Sequence, residues 1–179
     1  MRRSLLAALL VLGVSTTAFA QTRTNLELFT DVSAQVNRYV YFTIFDSVSA
    51  SANNGVVTLS GRVTMPYKSS DIEKRVARIA GVSGVQNTIT VLPVSSFDDS
   101  LRRGIARALY SNPFLSMYGL GANPSIHVIV ERGRVTLDGV VNSEMDKVIA
   151  NSVARSFLAF GVKNELKTSA EVEQLLKTL

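Results

Sequence analysis

Gly55-Val56-Val57-Thr58-Leu59-Ser60-Gly61-Arg62-Val63 returns as Gly133-Arg134-Val135-Thr136-Leu137-Asp138-Gly139-Val140-Val141, with six of the nine positions identical at an offset of 78. Within the first copy Val57, Leu59, Gly61 and Val63 alternate with Thr58, Ser60 and Arg62, the two-residue period of a half-buried strand. Asn53-Asn54-Gly55 just before it is hairpin chemistry, because Asn and Gly accept the positive φ of a tight turn. Upstream, Asp46, Val48, Ala50 and Ala52 alternate with Ser47, Ser49 and Ser51, so the hairpin has two strands. The inward glycine is expected to leave room for a helix.

Downstream the helical period takes over. Ser70 with Glu73 reads as a capping box, Ile72, Val76, Ile79 and Ala80 form an apolar stripe, and Gly81 or Gly84 ends the helix. A third strand then alternates Val85, Asn87, Ile89 and Val91 inward. An amphipathic helix carried by Leu28, Val32, Val36 and Val40 precedes the hairpin. The second copy keeps this order: Val76-Ala77-Arg78 matches Val153-Ala154-Arg155, and Gly84-Val85-Gln86-Asn87 matches Gly161-Val162-Lys163-Asn164. Its first helix starts at Ser96-Phe97-Asp98-Asp99 and buries Leu101, Ile105, Ala108 and Leu109. Its second runs from about Glu144 to Phe160 on Met145, Ile149, Val153, Ser156 and Phe160. A tail helix follows Thr168 with Val172, Leu175, Leu176 and Leu179 as its stripe.

The expected architecture is an α+β sandwich of two tandem α-β-β-α-β units, each a small three-stranded mixed sheet against two helices. The divisions fall at 1–20 for a signal peptide, 21–94 and 95–168 for the two units, and 169–179 for the tail helix. The signal peptide rests on Arg2 and Arg3, the apolar run Leu5 to Val14, and Ala18-Phe19-Ala20, with cleavage after Ala20. That run is half of the ~20 residues a membrane span needs, so no transmembrane segment is expected in the mature chain. Losing the two arginines lowers the formal net charge from +5 to +3.

Composition removes several chemistries. The 179 residues contain no cysteine and one histidine, His127, which excludes disulfides, a catalytic thiol and Cys/His-rich metal sites. No Gly-x-Ser-x-Gly, phosphate-cradling loop or paired acids on a shared helix face appears, and no cofactor is called for. Asp138 and Glu165 read as outward-facing strand residues, and His127 as a structural strand residue. Gly81-Val82-Ser83-Gly84 matches a Gly-x-x-Gly nucleic-acid loop only in its glycines, and an exported chain is not expected to bind nucleic acid.

The strand glycines Gly61 and Gly139, the hairpin glycines Gly55 and Gly133, and the Gly-Val-x-Asn strand entries at Gly84–Asn87 and Gly161–Asn164 occur in the same order twice. Together they resemble the BON domain, a module of exported bacterial envelope proteins, over nearly all of the mature chain. The resemblance implies the same α-β-β-α-β sandwich. It also implies a periplasmic protein that binds phospholipid, attaches to envelope partners or helps exported proteins under osmotic stress. The chain departs from the pattern in lacking a lipidation cysteine and in a longer stretch from Ser111 to Pro124.

That stretch is the most informative non-repeated segment. Phe114, Leu115, Met117, Tyr118 and Leu120 are unusually apolar for a loop: they form either a wedge for lipid or a partner, or a flap over the open end of the sheet. Arg102, Arg103 and Arg107 share a helix sector of about 140° that leads into it. They are either an anionic-lipid surface or a solvated face offset by Asp98 and Asp99. Lys74, Arg75 and Arg78 make a second basic face with the same two readings. Tyr39-Val40-Tyr41-Phe42-Thr43-Ile44-Phe45 reads as a helix end packing into core or as an aromatic strip. The expected partner is an anionic phospholipid surface or an envelope protein, with a chaperone-like role as the alternative; oligomeric state is left open.

Overall fold

The computed structural model describes residues 24–121 and 123–177; the signal peptide expected at 1–20 and Leu179 of the expected tail stripe lie outside them. Each half repeats one order of elements. The first runs through α1 (Asn25–Asn37), β1 (Ser47–Asn53), β2 (Val56–Val63), α2 (Pro66–Val76) and β3 (Gly84–Val91). The second runs through α3 (Ser96–Ser111), β4 (Ile126–Glu131), β5 (Arg134–Val141), α4 (Glu144–Arg155), β6 (Gly161–Asn164) and β7 (Lys167–Thr168), and α5 (Ser169–Leu176) closes the described chain. The middle strand of each sheet pairs antiparallel with its hairpin partner and parallel with the strand that returns after the helix. β7 pairs with β5 in the register of β6, so the two are one strand interrupted at Glu165 and Leu166.

Two separate cores fill the halves. Val32, Val36, Val57, Leu59, Ile72 and Val76 anchor the first, and Leu101, Ile105, Leu109, Val128, Leu137 and Ala154 the second. The hairpin turns are as the sequence implies: Asn54 and Gly55 have φ of 49° and 82°, and Arg132 and Gly133 have 51° and 73°. The second turn carries an arginine where the first has asparagine, and the buried Asp98 carboxylate compensates by accepting the Arg132 and Gly133 N–H groups, each at 2.8 Å.

Gly61 and Gly139 have φ of +134° and +123°, and a Cβ there would overlap the carbonyl of Ser47 or Ser125 rather than a helix. The expectation that they make room for a helix is corrected: they let the hairpin strands close on one another. Gly84 and Gly161 have no such requirement, since an added Cβ meets nothing closer than the Arg134 guanidinium at 3.6 Å from Gly161.

Asn87 and Asn164 face inward as expected and repeat one arrangement. The Asn87 amide donates to Ser69 and to Glu73 (2.8 Å) on α2, while its oxygen accepts the Ile89 N–H on the free edge of β3. The Asn164 amide donates to the Lys147 carbonyl on α4, and its oxygen accepts the Leu166 N–H.

Helix ends depart from expectation. α2 begins at Pro66, whose ring is preorganised for a first helical position, so Ser70 and Glu73 lie inside the helix and form no capping box. α1 stops at Asn37, which exposes Val40 and buries Tyr39 instead. α4 stops at Arg155, leaving Met145 and Phe160 exposed while Ala150 and Ala154 are buried. In α3 the buried alanine is Ala106, not Ala108.

The segment between α1 and β1 is neither the end of a helix nor a free strip. Ile44 and Phe45 pack on the second core, Phe42 lies against the His127 ring, and the Ile44 carbonyl accepts the Val128 N–H at 2.7 Å. Arg62 pairs with Glu131 at 2.8 Å, and the Ser47 hydroxyl donates to Asp138. These contacts dock the two halves. Asp46 anchors the segment from the first half. Burial alone pushes its carboxyl up, but Lys68 at 2.6 Å and hydrogen bonds from Thr43 and Thr64 hold it below its ordinary range.

Candidate functional site

α3 starts on a Ser95 cap whose hydroxyl accepts the Asp98 N–H at 3.1 Å, and its apolar face enters the second core. Arg102 follows that face inward. It is 5% exposed, donates to the Val130 carbonyl at 3.2 Å and pairs with Asp99 at 3.4 Å. Its expected place on an exposed basic face is therefore corrected: its stem lies against β4, and the surface retains only Arg103 and Arg107, both exposed.

The loop after α3 divides its apolar side chains between core and solvent. It passes through a 3₁₀ turn at Ser116–Gly119, and at three residues per turn Phe114, Met117 and Leu120 fall on one side while Leu115 and Tyr118 fall on another. Leu115 is fully buried. Tyr118 is buried too, its hydroxyl donating to Asp146 at 2.9 Å and accepting the Asn142 N–H at 2.8 Å. Burial raises its phenol pKa, with Asp146 adding to the rise and Asn142 opposing it. Tyr110 donates to the Ile126 carbonyl, and burial pushes it up to about 12. The flap reading holds for Leu115 and Tyr118. Phe114, Met117 and Leu120 are 69%, 54% and 77% exposed, on the loop that follows the helix of the exposed Arg103 and Arg107.

The first half places Lys74 and Arg75 on α2 and Arg78 in the turn after it; Lys74 and Arg78 are exposed, and the Arg75 guanidinium sits 5.0 Å over the Tyr39 ring. Beside them lies an apolar surface formed by Val40, Tyr41, Met65 and Tyr67, all about half exposed or more; the strip reading covered Val40 and Tyr41, and sequence reasoning missed Met65 and Tyr67. The readable signal is Met65-Pro66: a residue before proline is held out of the helix.

Between the halves lies a cleft of about 600 Å³, walled by Phe29 and Phe42 on one side and by Val172 and Leu176 of α5 on the other. His127 lines it half-buried, and its Nδ1 is enclosed without a hydrogen-bond partner. Asp138, expected to face outward, does so into this join. Among the described residues no helix is long and apolar enough to cross a membrane.

No curated protein matches the chain in sequence. Among solved structures, the C-terminal domain of CdsD, the structural protein of the Type III secretion system of Chlamydia trachomatis, is similar at 16% identity. That match has a TM-score of 0.33 over 83% of this chain and 69% of that one. A second CdsD structure matches at 14% identity and a TM-score of 0.27, over 82% of this chain and 97% of that one. The family model described as the BON domain matches twice, over residues 27–93 and 98–170, one match on each half. The chain is a tandem member of the BON-domain family.

Proposed function

We propose that the chain is an exported, non-catalytic protein of the periplasm that associates reversibly with anionic phospholipid surfaces and supports envelope integrity under stress. BON domains are associated with phospholipid binding and are generally non-catalytic, which supports the class of partner and of activity. The observation that carries the choice of surface is the exposure of Phe114, Met117 and Leu120 on the loop that directly follows α3, the helix that carries the exposed Arg103 and Arg107. Apolar side chains that enter the headgroup boundary beside cations that attract it are what a peripheral lipid contact requires.

Co-sedimentation of residues 21–179 with anionic and zwitterionic vesicles tests this. Binding is expected on anionic vesicles alone and falls as salt rises. Arg103→Glu with Arg107→Glu, and separately Phe114→Ser with Leu120→Ser, lower it at least tenfold; equal binding by both variants removes the assignment. Leu115 and Tyr118 are unsuitable for such a test because both are buried, so their replacement is expected to destabilise the second half whatever it does to binding.

The cleft between the halves favours a second reading, a chaperone-like module that holds apolar segments of exported proteins. Its volume and mixed lining suit a bound segment. That reading expects suppression of client aggregation without lipid, retained in the Arg103 and Arg107 variant.

A further inference from the structure

α1 and α2 of the first half enclose a depression of about 420 Å³ lined by Gln35, Asp71, Lys74, Arg75 and Arg78. Three cations and an amide converge there with one acid, and that acid is already engaged: the Tyr39 hydroxyl donates to Asp71 at 2.8 Å. Arg75 is steered by its contact with the Tyr39 ring, which is itself buried. Exposed Arg38, at the end of α1, adds a fourth positive charge one turn beyond Gln35.

What surrounds the depression matters as much as what lines it. Tyr39, Tyr41 and Tyr67 form an edge-to-face chain with centroids 5.7 and 5.9 Å apart, which fixes the outer two rings in place. Tyr41 and Tyr67 are 56% and 48% exposed, and Val40 and Met65 stand beside them in sequence, equally open to solvent. A soluble anion would need only the cations. Ordered, exposed tyrosines next to apolar side chains match the boundary between lipid headgroups and acyl chains, where amphipathic rings are most stable.

The two halves meet on the other side of α1, where Ser33 and Asn37 line the cleft. There the Asn123 side chain donates to the Asn37 carbonyl, which ties the loop that carries Leu120 to the end of α1, just before the turn that carries Val40 and Tyr41.

We propose that the Gln35–Arg78 depression is a second headgroup site, which takes the phosphate of an anionic phospholipid in the bilayer while Tyr41 and Tyr67 enter its boundary. This rests on the lipid reading of the second half and adds a site on the first.

The test uses residues 21–179 and vesicles of phosphatidylglycerol with phosphatidylethanolamine, against phosphatidylcholine vesicles. Each basic residue at an anionic surface contributes about fivefold in affinity, so Lys74→Gln with Arg78→Gln is expected to lower binding about 25-fold. Tyr41→Ser with Tyr67→Ser lowers it as well. Thermal unfolding confirms that each variant remains folded. Wild-type affinity in the Lys74 and Arg78 variant, with binding lost in an Arg103→Gln, Arg107→Gln variant, overturns the second site and leaves the second-half reading standing. Failure of the wild-type protein to bind anionic vesicles at low salt overturns both. Binding of soluble polyglutamate as tight as that of vesicles, and equally sensitive to Lys74 and Arg78, overturns the lipid assignment in favour of an acidic protein surface.

Discussion

Gly61 and Gly139 show what a repeated residue fixes and what its repetition hides. Both sit at positive φ with a neighbouring strand's carbonyl where a side chain would begin. Gly61→Ala is expected to destabilise the first half by about 2 kcal/mol or more, because strain and strand separation add. Gly84→Ala, with open space around it, changes stability by no more than about 0.5 kcal/mol. Urea unfolding of the two variants separates the cases; equal losses would show that the positive φ is not what matters. Spacing alone marked both glycines as structural. It did not reveal which atom each one avoids, since that atom belongs to a strand 14 residues away. Asp46 is similar: its inward position follows from alternation, but its Lys68 partner does not, because a lysine in a helix is ordinarily read as solvated.

At the level of elements, α5 depends on one cationic tether. Lys147 of α4 bonds Glu171 at 3.1 and 3.2 Å and Glu144 at 3.1 Å, while the Thr168 and Glu171 capping box starts the helix. The Thr168 N–H, then Lys147, holds the Glu171 carboxyl below its ordinary range. A depressed carboxylate stabilises the docked helix above its unfolded pKa and loses that contribution as pH falls through the folded one. Protection of the amides in residues 169–177, taken relative to their intrinsic exchange rates, is therefore expected to fall at acid pH before that of β5. Lys147→Met should produce the lower protection already at neutral pH; unchanged protection would show that the apolar side of α5 suffices. The existence and order of all five helices were legible from their stripes, and their ends were not. Pro66 moved one start, and α4 stopped short of Phe160, which instead packs its ring on Gly133 and stacks with Phe97 at 6.3 Å. The candidate site shows the same limit: the loop's apolar content was readable, but its division between core and solvent depended on a 3₁₀ turn that no stripe announces.

For the whole molecule, docking runs through a few residues, most of which differ between the two copies. Phe42, Ile44 and Phe45 reach the second half, and Arg62 and Ser47 meet Glu131 and Asp138. Phe42→Ala with Arg62→Ala should free the Val128 amide to exchange while Leu59 and Leu137 stay protected. Loss of protection at all three together would mean that the halves unfold as one cooperative unit. None of this docking was visible in the repeat, because a comparison of copies finds what they share and the join is built mostly from what they do not.

Two like sheets on one chain also carry a hazard that single modules escape. Their parallel edge strands sit at high effective concentration for one another, and nascent chains emerging together would present the same edges in trans. Asn87 and Asn164 each turn a side-chain oxygen onto an edge N–H, at Ile89 and Leu166, and so occupy a donor that a strand from the other half or another copy would need. The same two carboxamides that tie strand to helix thus act as guards against domain swapping and edge-to-edge aggregation.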